Sequence, residues 1–319
     1  YNIVESQIIK IRPNILFMDN YSLFSYNWLF NIKKKCNSIK LIIGWCGAPY
    51  RDETVFKGYD VVLFCIPELV DTFNNQGHNS YHINHAFDPR ILNKIEKDCS
   101  SNIDVSFVGQ IIRSSKHHLE REKLLEQLVQ EIDIKIFTPS ADYGFYDIMK
   151  SVAKRMAYYI GRSSKLIRLD NNSLIKNISN LEKRPIMPVS SFLKKHLYPA
   201  VYGLEMFQTL KKSKITFNNH NGISKNSASN MRLFEATGVG TCLVTDWKAN
   251  LSELFEPDNE VVTFQSAGEC KEKIKWLLEN PKKQKEIANA GQARTLKDHT
   301  FEQRASLLND IIKKEKQTS

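Results

Sequence analysis

The stretch "SNMRLFEATGVGTCLVTD", residues 229–246, reads as a polar approach, a short helix, a tight turn and a buried strand. Ser229 and Asn230 are residue types that cap helix N-termini by accepting a hydrogen bond from a free backbone N–H, so the helix is expected to start at one of them. Arg232 and Glu235 then stand three residues apart, on one helix face. Gly238 and Gly240 end the helix tightly, and "TCLVTD" is an apolar run that can return into a sheet. A helix feeding a buried strand is one half of a βαβ repeat. The rest of the chain decides whether the repeat continues.

It continues in both directions. Upstream, "DVSFVGQ" (104–110) and "DIKIFT" (133–138) read as strands with an amphipathic helix at 117–132 between them, and "YGLEMFQTLKKSKITFNNH" (202–220) reads as a helix followed by a strand. Downstream, "EVVTFQ" (260–265) is another strand, followed by helices at about 269–279, 282–292 and 301–315. The first ~95 residues repeat the rhythm with "NILFMD" (14–19), "KLIIGWC" (40–46), "DVVLFCI" (60–66) and "NSYHIN" (79–84), separated by helical stretches such as "PELVDTFNNQG". These runs are continuously apolar, as suits strands of a parallel sheet buried on both faces. The expected class is α/β with right-handed crossovers.

At 319 residues the chain is too long for one ordinary core and fits two domains. The polar segment 85–103 reads as the link between them. Residues 1–95 form the first expected domain and 96–300 the second, with 301–319 a C-terminal helix packing back on the first. Between about 142 and 199 the rhythm breaks into a basic, partly helical insertion, with lysines and arginines interleaved with Tyr158, Tyr159, Ile160 and Leu166. It reads either as a solvated helical excursion or as a face for anionic lipid or a polyanionic acceptor.

A hydrophobic fraction of 42% with 25% charged residues is that of a soluble globular protein, and no apolar run approaches the roughly 20 residues that span a bilayer. The six cysteines (36, 46, 65, 99, 242 and 270) show no C-x-x-C spacing, so neither a zinc site nor a disulfide framework is expected, and a reducing cytoplasm is the simpler setting. Tyr1 in place of an initiating Met leads to the expectation that an N-terminal piece is missing. The net charge of +10 calls for an anionic partner without choosing one.

Ligands of doubly wound α/β domains bind beyond the carboxyl ends of the strands. That rule selects two loops in the second domain. In "FVGQIIRSS" (107–115), Gly109 lets a ligand approach the backbone and Arg113 is within reach of a phosphate. "FNNHNGISKNSASN" (217–230) leads into the quoted stretch. Free N–H groups at the start of the next helix can hold a diphosphate, Arg232 can neutralise it with a planar fork, and Glu235 can accept hydrogen bonds from a ribose diol. The bland alternative for Arg232 and Glu235 is a surface ion pair, a common feature at this spacing.

From about residue 200 onward the chain resembles the glycosyl transferases group 1 with the GT-B fold, particularly the spore-maturation-protein-B-like branch. The segments "PAVYGLEMFQTLKKSKITFNNH" (199–220), "SNMRLFEATGVGTCLVTD" (229–246), "LSELFEPDNEVVTF" (251–264) and "LKDHTFEQRASLL" (296–308) carry the likeness. The resemblance implies two facing Rossmann-like domains, here with the basic helical insertion in the second. The C-terminal one would hold a nucleotide-diphosphate sugar and the N-terminal one would present a glycan or lipid-linked acceptor. It also implies that Glu235 binds the donor ribose, Arg232 faces the diphosphate, Gly109 lies near the phosphates, and His220 and Asn230 contact the donor. Many relatives carry a second glutamate eight residues before the first; Ser227 stands there instead.

The implied reaction is glycosyl transfer with a nucleotide-sugar substrate, no further cofactor and no metal, in keeping with the lack of a strand-end Asp-x-Asp. The implied setting is cytoplasmic, peripheral at the inner face of a membrane. A general base is expected from the first domain, and Asp19, Asp52 and His85 are the candidates, each with a structural alternative as turn former, helix cap or hinge residue. The competing functions are a catalytically silent scaffold of the same fold and a polyanion- or nucleic-acid-binding protein, although no nucleic-acid-binding motif is present. A nucleotide-sugar epimerase is weaker still, because Ser227 removes one of the acids it needs.

Overall fold

In Val61–Phe64 every side chain is apolar and every one is buried, which a strand permits only when both faces of its sheet are covered. The computed structural model describes residues 2–47, 50, 52–96, 101–111, 116–142, 145–162, 190–220 and 226–318, and it places these runs in two parallel sheets. The first unit contains helix α1 (Asn2–Ile11), strand β1 (Ile15–Met18), α2 (Tyr26–Lys35), β2 (Leu41–Cys46), β3 (Val61–Phe64), α3 (Pro67–Asn75) and β4 (Ser80–His82). Its four strands lie in the order β1-β2-β3-β4. Ser25 starts α2 by accepting from the Trp28 N–H, and three lysines in its last turn meet the negative end of the helix dipole.

The period of two in each strand sorts its side chains. Ile42, Cys46, Val62 and Phe64 face α2, α3 and a ring cluster in which Phe56 and Phe64 lie 4.9 and 4.7 Å from Phe73. Leu41, Ile43, Val61 and Leu63 face the opposite way. That second face is covered by the last helix of the chain, whose Leu308, Ile311 and Ile312 pack on it. Glu315 on the same helix accepts hydrogen bonds from Tyr81 Oη and Asn79 Nδ2, both at 2.5 Å.

The second unit runs β5 (Ile103–Val108), α4 (Lys116–Leu128), β6 (Ile134–Phe137), α5 (Phe145–Arg162), β7 (Leu197–Tyr198), α6 (Gly203–Lys211), β8 (Ser213–Asn218), α7 (Arg232–Gly238), β9 (Cys242–Asp246), α8 (Leu251–Leu254), β10 (Val262–Phe264), α9 (Ala267–Glu279), α10 (Pro281–Asp298) and α11 (Phe301–Thr318). Its six strands lie in the order β10-β9-β8-β5-β6-β7. The direction of winding reverses between β8 and β5, so the crevice at their carboxyl ends is the topological switch point. Both units are Rossmann-like, the architecture expected from the strand rhythm.

Several expectations need correction. Helix α1 and the two-residue strand β7 have no counterpart in the sequence reading. Neither Ser229 nor Asn230 caps α7: Met231 holds that position in helical conformation and gives no side-chain cap. The Asn230 side chain is turned onto Asn218 instead, its amide donating to Asn218 Oδ1 at 2.9 Å and its Oδ1 accepting from Asn218 Nδ2 at 3.5 Å, and Ser229 is buried. Of the basic insertion, α5 and residues 190–199 are described, while Lys165, Arg168, Lys176, Lys183 and Arg184 lie outside the described residues. Cys36, Cys46, Cys65, Cys242 and Cys270 are buried and in no disulfide, and burial pushes the Cys65 and Cys242 thiols up to about 12. They pack as small hydrophobes. Cys99 lies outside the described residues.

The chain passes between the units twice, and the two passages are bonded to each other. Phe87 N–H donates to His299 O at 2.9 Å and Phe301 N–H donates to Phe87 O at 3.1 Å, forming a one-residue bridge between Phe87 and Thr300. The Phe87 ring is wholly buried and lies on Gly238 at the end of α7.

Candidate active site

The strands of the first unit end towards α7 of the second, and between them lies a cavity of about 720 Å³. Phe17 and Asp19 at the end of β1, Trp45 in β2, and Asn84 and His85 beyond β4 line one side. Met231 at the start of α7, Glu235 within it, Phe207 of α6, and Phe301, Arg304 and Leu308 of α11 line the other. Three residues singled out from the sequence, Asp19, His85 and Glu235, are thus brought into one space although they are far apart in the chain. Asp52 is not among them. It is exposed and accepts from Thr54 N–H at 2.9 Å and Thr54 Oγ1 at 2.7 Å, which holds its pKa below the usual range and makes it the brace of the turn at Thr54–Gly58.

The His85 ring meets Trp45 edge-on, with centroids 5.6 Å apart. Burial, and then the nearby Arg304 charge, lower its pKa to about 4, so the imidazole is neutral near pH 7. Arg304 is the cation of this junction. Its Nε donates to the carbonyls of Asn84 (3.1 Å) and His85 (3.2 Å), Nη1 to Asp298 O (3.2 Å), and Nη2 to His299 Nδ1 (2.9 Å). That last contact fixes His299 as the tautomer whose Nε2–H donates to Leu254 O at 2.8 Å. Asp19 stands exposed at the rim, and Asp88 is engaged by Arg90 at 2.7 Å.

Arg232 and Glu235 pair with each other at 2.7 Å, but not at an open surface: their side chains are only 15% and 13% exposed. The approach lies off the hydrogen-bond direction, so Arg232 Nε and Glu235 Oε2 are buried without a hydrogen-bond partner among the described residues. Arg232 Nη1 also touches Met206 Sδ at 3.1 Å. Burial lowers the Arg232 pKa and the Glu235 charge opposes that shift. The pair is therefore partly desolvated and has hydrogen-bonding capacity in reserve on both partners.

At the switch point, Gly109 follows β5, and a Cβ there would come within 3.0 Å of the Phe107 ring. Arg121 of α4 ties the two strand ends together, donating to Gln110 O at 3.1 Å and Asn219 O at 2.5 Å, and burial lowers its pKa to about 10. Asn230 and Thr245 hold Asn218. His220, almost wholly buried, donates its backbone N–H to Asp246 Oδ1 at 2.8 Å and sets Nδ1 against the same oxygen at 2.8 Å. This leaves Nε2 buried with no partner among the described residues. Burial alone would raise the Asp246 pKa, but the His220 hydrogen bonds and charge, then Lys248 at 3.3 Å, lower it. Arg113 lies outside the described residues.

Sequence reading missed Arg121, Asp246, Lys248 and Arg304. Asp246 was available to the strand-end rule, as the last residue of "TCLVTD". Arg121 and Arg304 sit inside amphipathic helices, where an arginine looks like any solvated side chain. Among the described residues no group of three or more His, Cys, Asp or Glu side chains could hold a metal ion, and no helix is long and apolar enough to cross a membrane.

Residues 173–310 match a family model described as glycosyl transferase-like. Among solved structures, the fold is similar to sucrose-phosphate synthase from Thermosynechococcus elongatus (10% identity over 100% of this chain and 77% of that one, TM-score 0.59). It is also similar to Anabaena HepE in complex with UDP and glucose (10%, 98% and 82%, TM-score 0.57). A UDP-forming α,α-trehalose-phosphate synthase from Burkholderia xenovorans is a third (13%, 97% and 77%, TM-score 0.56). No curated protein matches the sequence. At these identities the structural likeness establishes the fold, which is GT-B. With the family match it supports a glycosyltransferase, the enzyme class expected from residues 199–308.

Proposed function

We propose that the chain transfers a glycosyl group from a nucleotide-diphosphate sugar to a hydroxyl of a glycan or lipid-linked acceptor, without a metal. The observation that carries this is the cavity in which Glu235 of the second unit faces His85 and Asp19 of the first. The donor lies over the ends of β5, β8 and β9, its ribose on Glu235 and its diphosphate towards Gly109, Arg113 and Arg232, with His220 and Asn230 as further contacts. HepE is seen with UDP and with UDP-glucose, which makes uridine nucleotides the first probes.

In the transfer, the acceptor oxygen bonds to the anomeric carbon while the bond from that carbon to the diphosphate breaks, its electron pair leaving on the diphosphate. Positive charge and N–H dipoles around the diphosphate stabilise the departing charge. The acceptor proton goes to His85, which is neutral and lines the space where the hydroxyl must sit. A base with a pKa of about 4 stays active far below the usual histidine range of 6.5. The kcat/KM at pH 5 is therefore expected to lie within about twofold of its pH 7 value, and His85→Gln to lose roughly 10²–10⁴-fold in kcat. A profile that turns down near 6.5 would reassign the base.

A thermal-shift panel tests the donor site. UDP, GDP, CDP, ADP and dTDP, each with and without EDTA, are applied to the wild type and to Glu235→Gln. One nucleotide is expected to raise the melting temperature by mass action, to survive EDTA, and to lose its effect in the variant. No response to any nucleotide would leave the scaffold or polyanion-binding reading in its place. A membrane-peripheral setting is supported by α5, where exposed Tyr146, Met149, Met156 and Tyr159 alternate with Lys150, Lys154 and Arg155.

A further inference from the structure

Resting on the glycosyltransferase reading above, we propose that the acceptor is an uncharged amphiphile, its reacting hydroxyl carried on a neutral head and its alkyl or isoprenoid chain lying in the cavity between the first sheet and α11. Two features of that cavity point to this class.

The first is its lining. Beside the polar lining residues Asp19, Asn84, His85, Asp88, Glu235 and Arg304, the walls are Phe17, Trp45, Leu63, Ile83, Phe301 and Leu308, whose side chains carry no hydrogen-bonding group except the Trp45 indole. A polyhydroxylated sugar placed there would give up its water hydrogen bonds and find few replacements. A hydrocarbon chain loses nothing and gains from the apolar area covered. The mouth is apolar as well: Phe17 is 47% exposed and Phe301 60% exposed. A chain longer than the cavity can therefore continue outward over an apolar rim.

The second is charge. Asp19, Asp88 and Glu235 all line the space. The single cation among its described lining residues, Arg304, is turned onto the carbonyls of Asn84, His85 and Asp298 and onto the His299 ring. A phosphorylated acceptor would meet three carboxylates, two of them ion-paired, and no cation directed at it among the described lining residues, an arrangement that disfavours it. Glu235 is partly answered by Arg232 at 2.7 Å, and Asp88 by Arg90 at 2.7 Å, but both of those cations sit outside the cavity lining.

Binding to the full chain distinguishes the possibilities. n-Hexyl, n-octyl and n-decyl β-D-glucopyranoside, below their micellar concentrations, are titrated calorimetrically beside glucose and glucose 6-phosphate. The alkyl glucosides are expected to bind, with Kd falling about three- to fourfold per added methylene, while glucose and glucose 6-phosphate show no saturable heat. Phe17→Thr and Phe301→Ser alter exposed rim positions that tolerate polar side chains, and each is expected to weaken n-decyl glucoside at least fivefold without changing the melting-temperature rise given by the responsive nucleotide. Glucose 6-phosphate binding as well as n-decyl glucoside would overturn the proposal. So would a chain-length series that is flat, or one that both rim variants leave unchanged. The nucleotide response is read separately: its absence overturns the donor site, and its presence beside a failed alkyl series overturns only the acceptor class.

Discussion

Arg232→Ala is expected to destabilise the chain by about 2–4 kcal/mol and to abolish the nucleotide-induced rise in melting temperature. The stability loss follows from what remains. Glu235 is only 13% exposed, and without Arg232 its carboxylate is a partly desolvated charge with no counter-ion in contact. The range lies below the roughly 3–5 kcal/mol of a fully buried pair because some water reaches both side chains. Removing both charges should cost less than removing one, so Arg232→Ala with Glu235→Ala is expected to regain more than 1 kcal/mol relative to Arg232→Ala alone. Arg232→Lys keeps the charge but loses the planar fork, and should recover stability better than donor response. Urea unfolding of the wild type, Arg232→Ala, Glu235→Ala and the double variant gives the coupling directly. Additive losses would mean that the 2.7 Å contact contributes nothing, and Glu235 would then have to be stabilised by something other than Arg232.

The second large effect belongs to Gly238. A Cβ at this position would lie 2.4, 2.5 and 2.7 Å from three carbons of the Phe87 ring, distances that real contacts do not reach. The ring has no room to retreat, since Phe87 is wholly buried and its backbone is bonded on both sides to the 299–301 segment. Gly238→Ala should therefore cost about 3 kcal/mol, far more than the gain of up to ~1 kcal/mol from alanine's better helix propensity. It should also act at a distance. Displacing Phe87 moves His85, two residues away, and a misplacement on the order of 1 Å at a reacting group is worth about 10²-fold in rate. Phe87→Leu introduced beside Gly238→Ala is expected to restore stability in part, because the smaller side chain vacates the overlap. If Gly238→Ala unfolds at the wild-type urea midpoint, the Phe87–Gly238 contact is not what fixes the linker.

The strands were legible because both faces of each sheet are covered, which writes an unbroken apolar run into the sequence. Strand β7 escaped because two residues cannot form a run; α1 does carry Val4, Ile8 and Ile11 at helical spacing, but of these the fold buries only Ile8. Asn230 looked like a helix cap because its side chain suits that role, but the same amide is used across the strand ends by Asn218, a partner that the sequence does not reveal. At the candidate site, the strand-end rule selected the loops and the glycine-ended helix carrying Glu235, while His220 was reached through the family resemblance. The cation that organises the junction was hidden, because Arg304 becomes special only when α11 returns to carry it against Asn84 and His85. Asp52 and His85 were equal candidates by type and position. Only the fold shows that one braces a turn while the other lines the cavity.

The bonded pair of passages at Phe87 and Thr300 has a mechanical consequence. Two adjacent strands of chain held side by side act as the pin of a door, so relative movement of the units reduces to rotation about one line. Displacement under rotation grows with distance from the pin. His85, two residues from Phe87, sits close to it and is carried through a short arc, whereas Asp19 and Phe17 at the far edge of the first sheet sweep a longer one. His85 can thus keep its place while the mouth of the cavity widens and narrows.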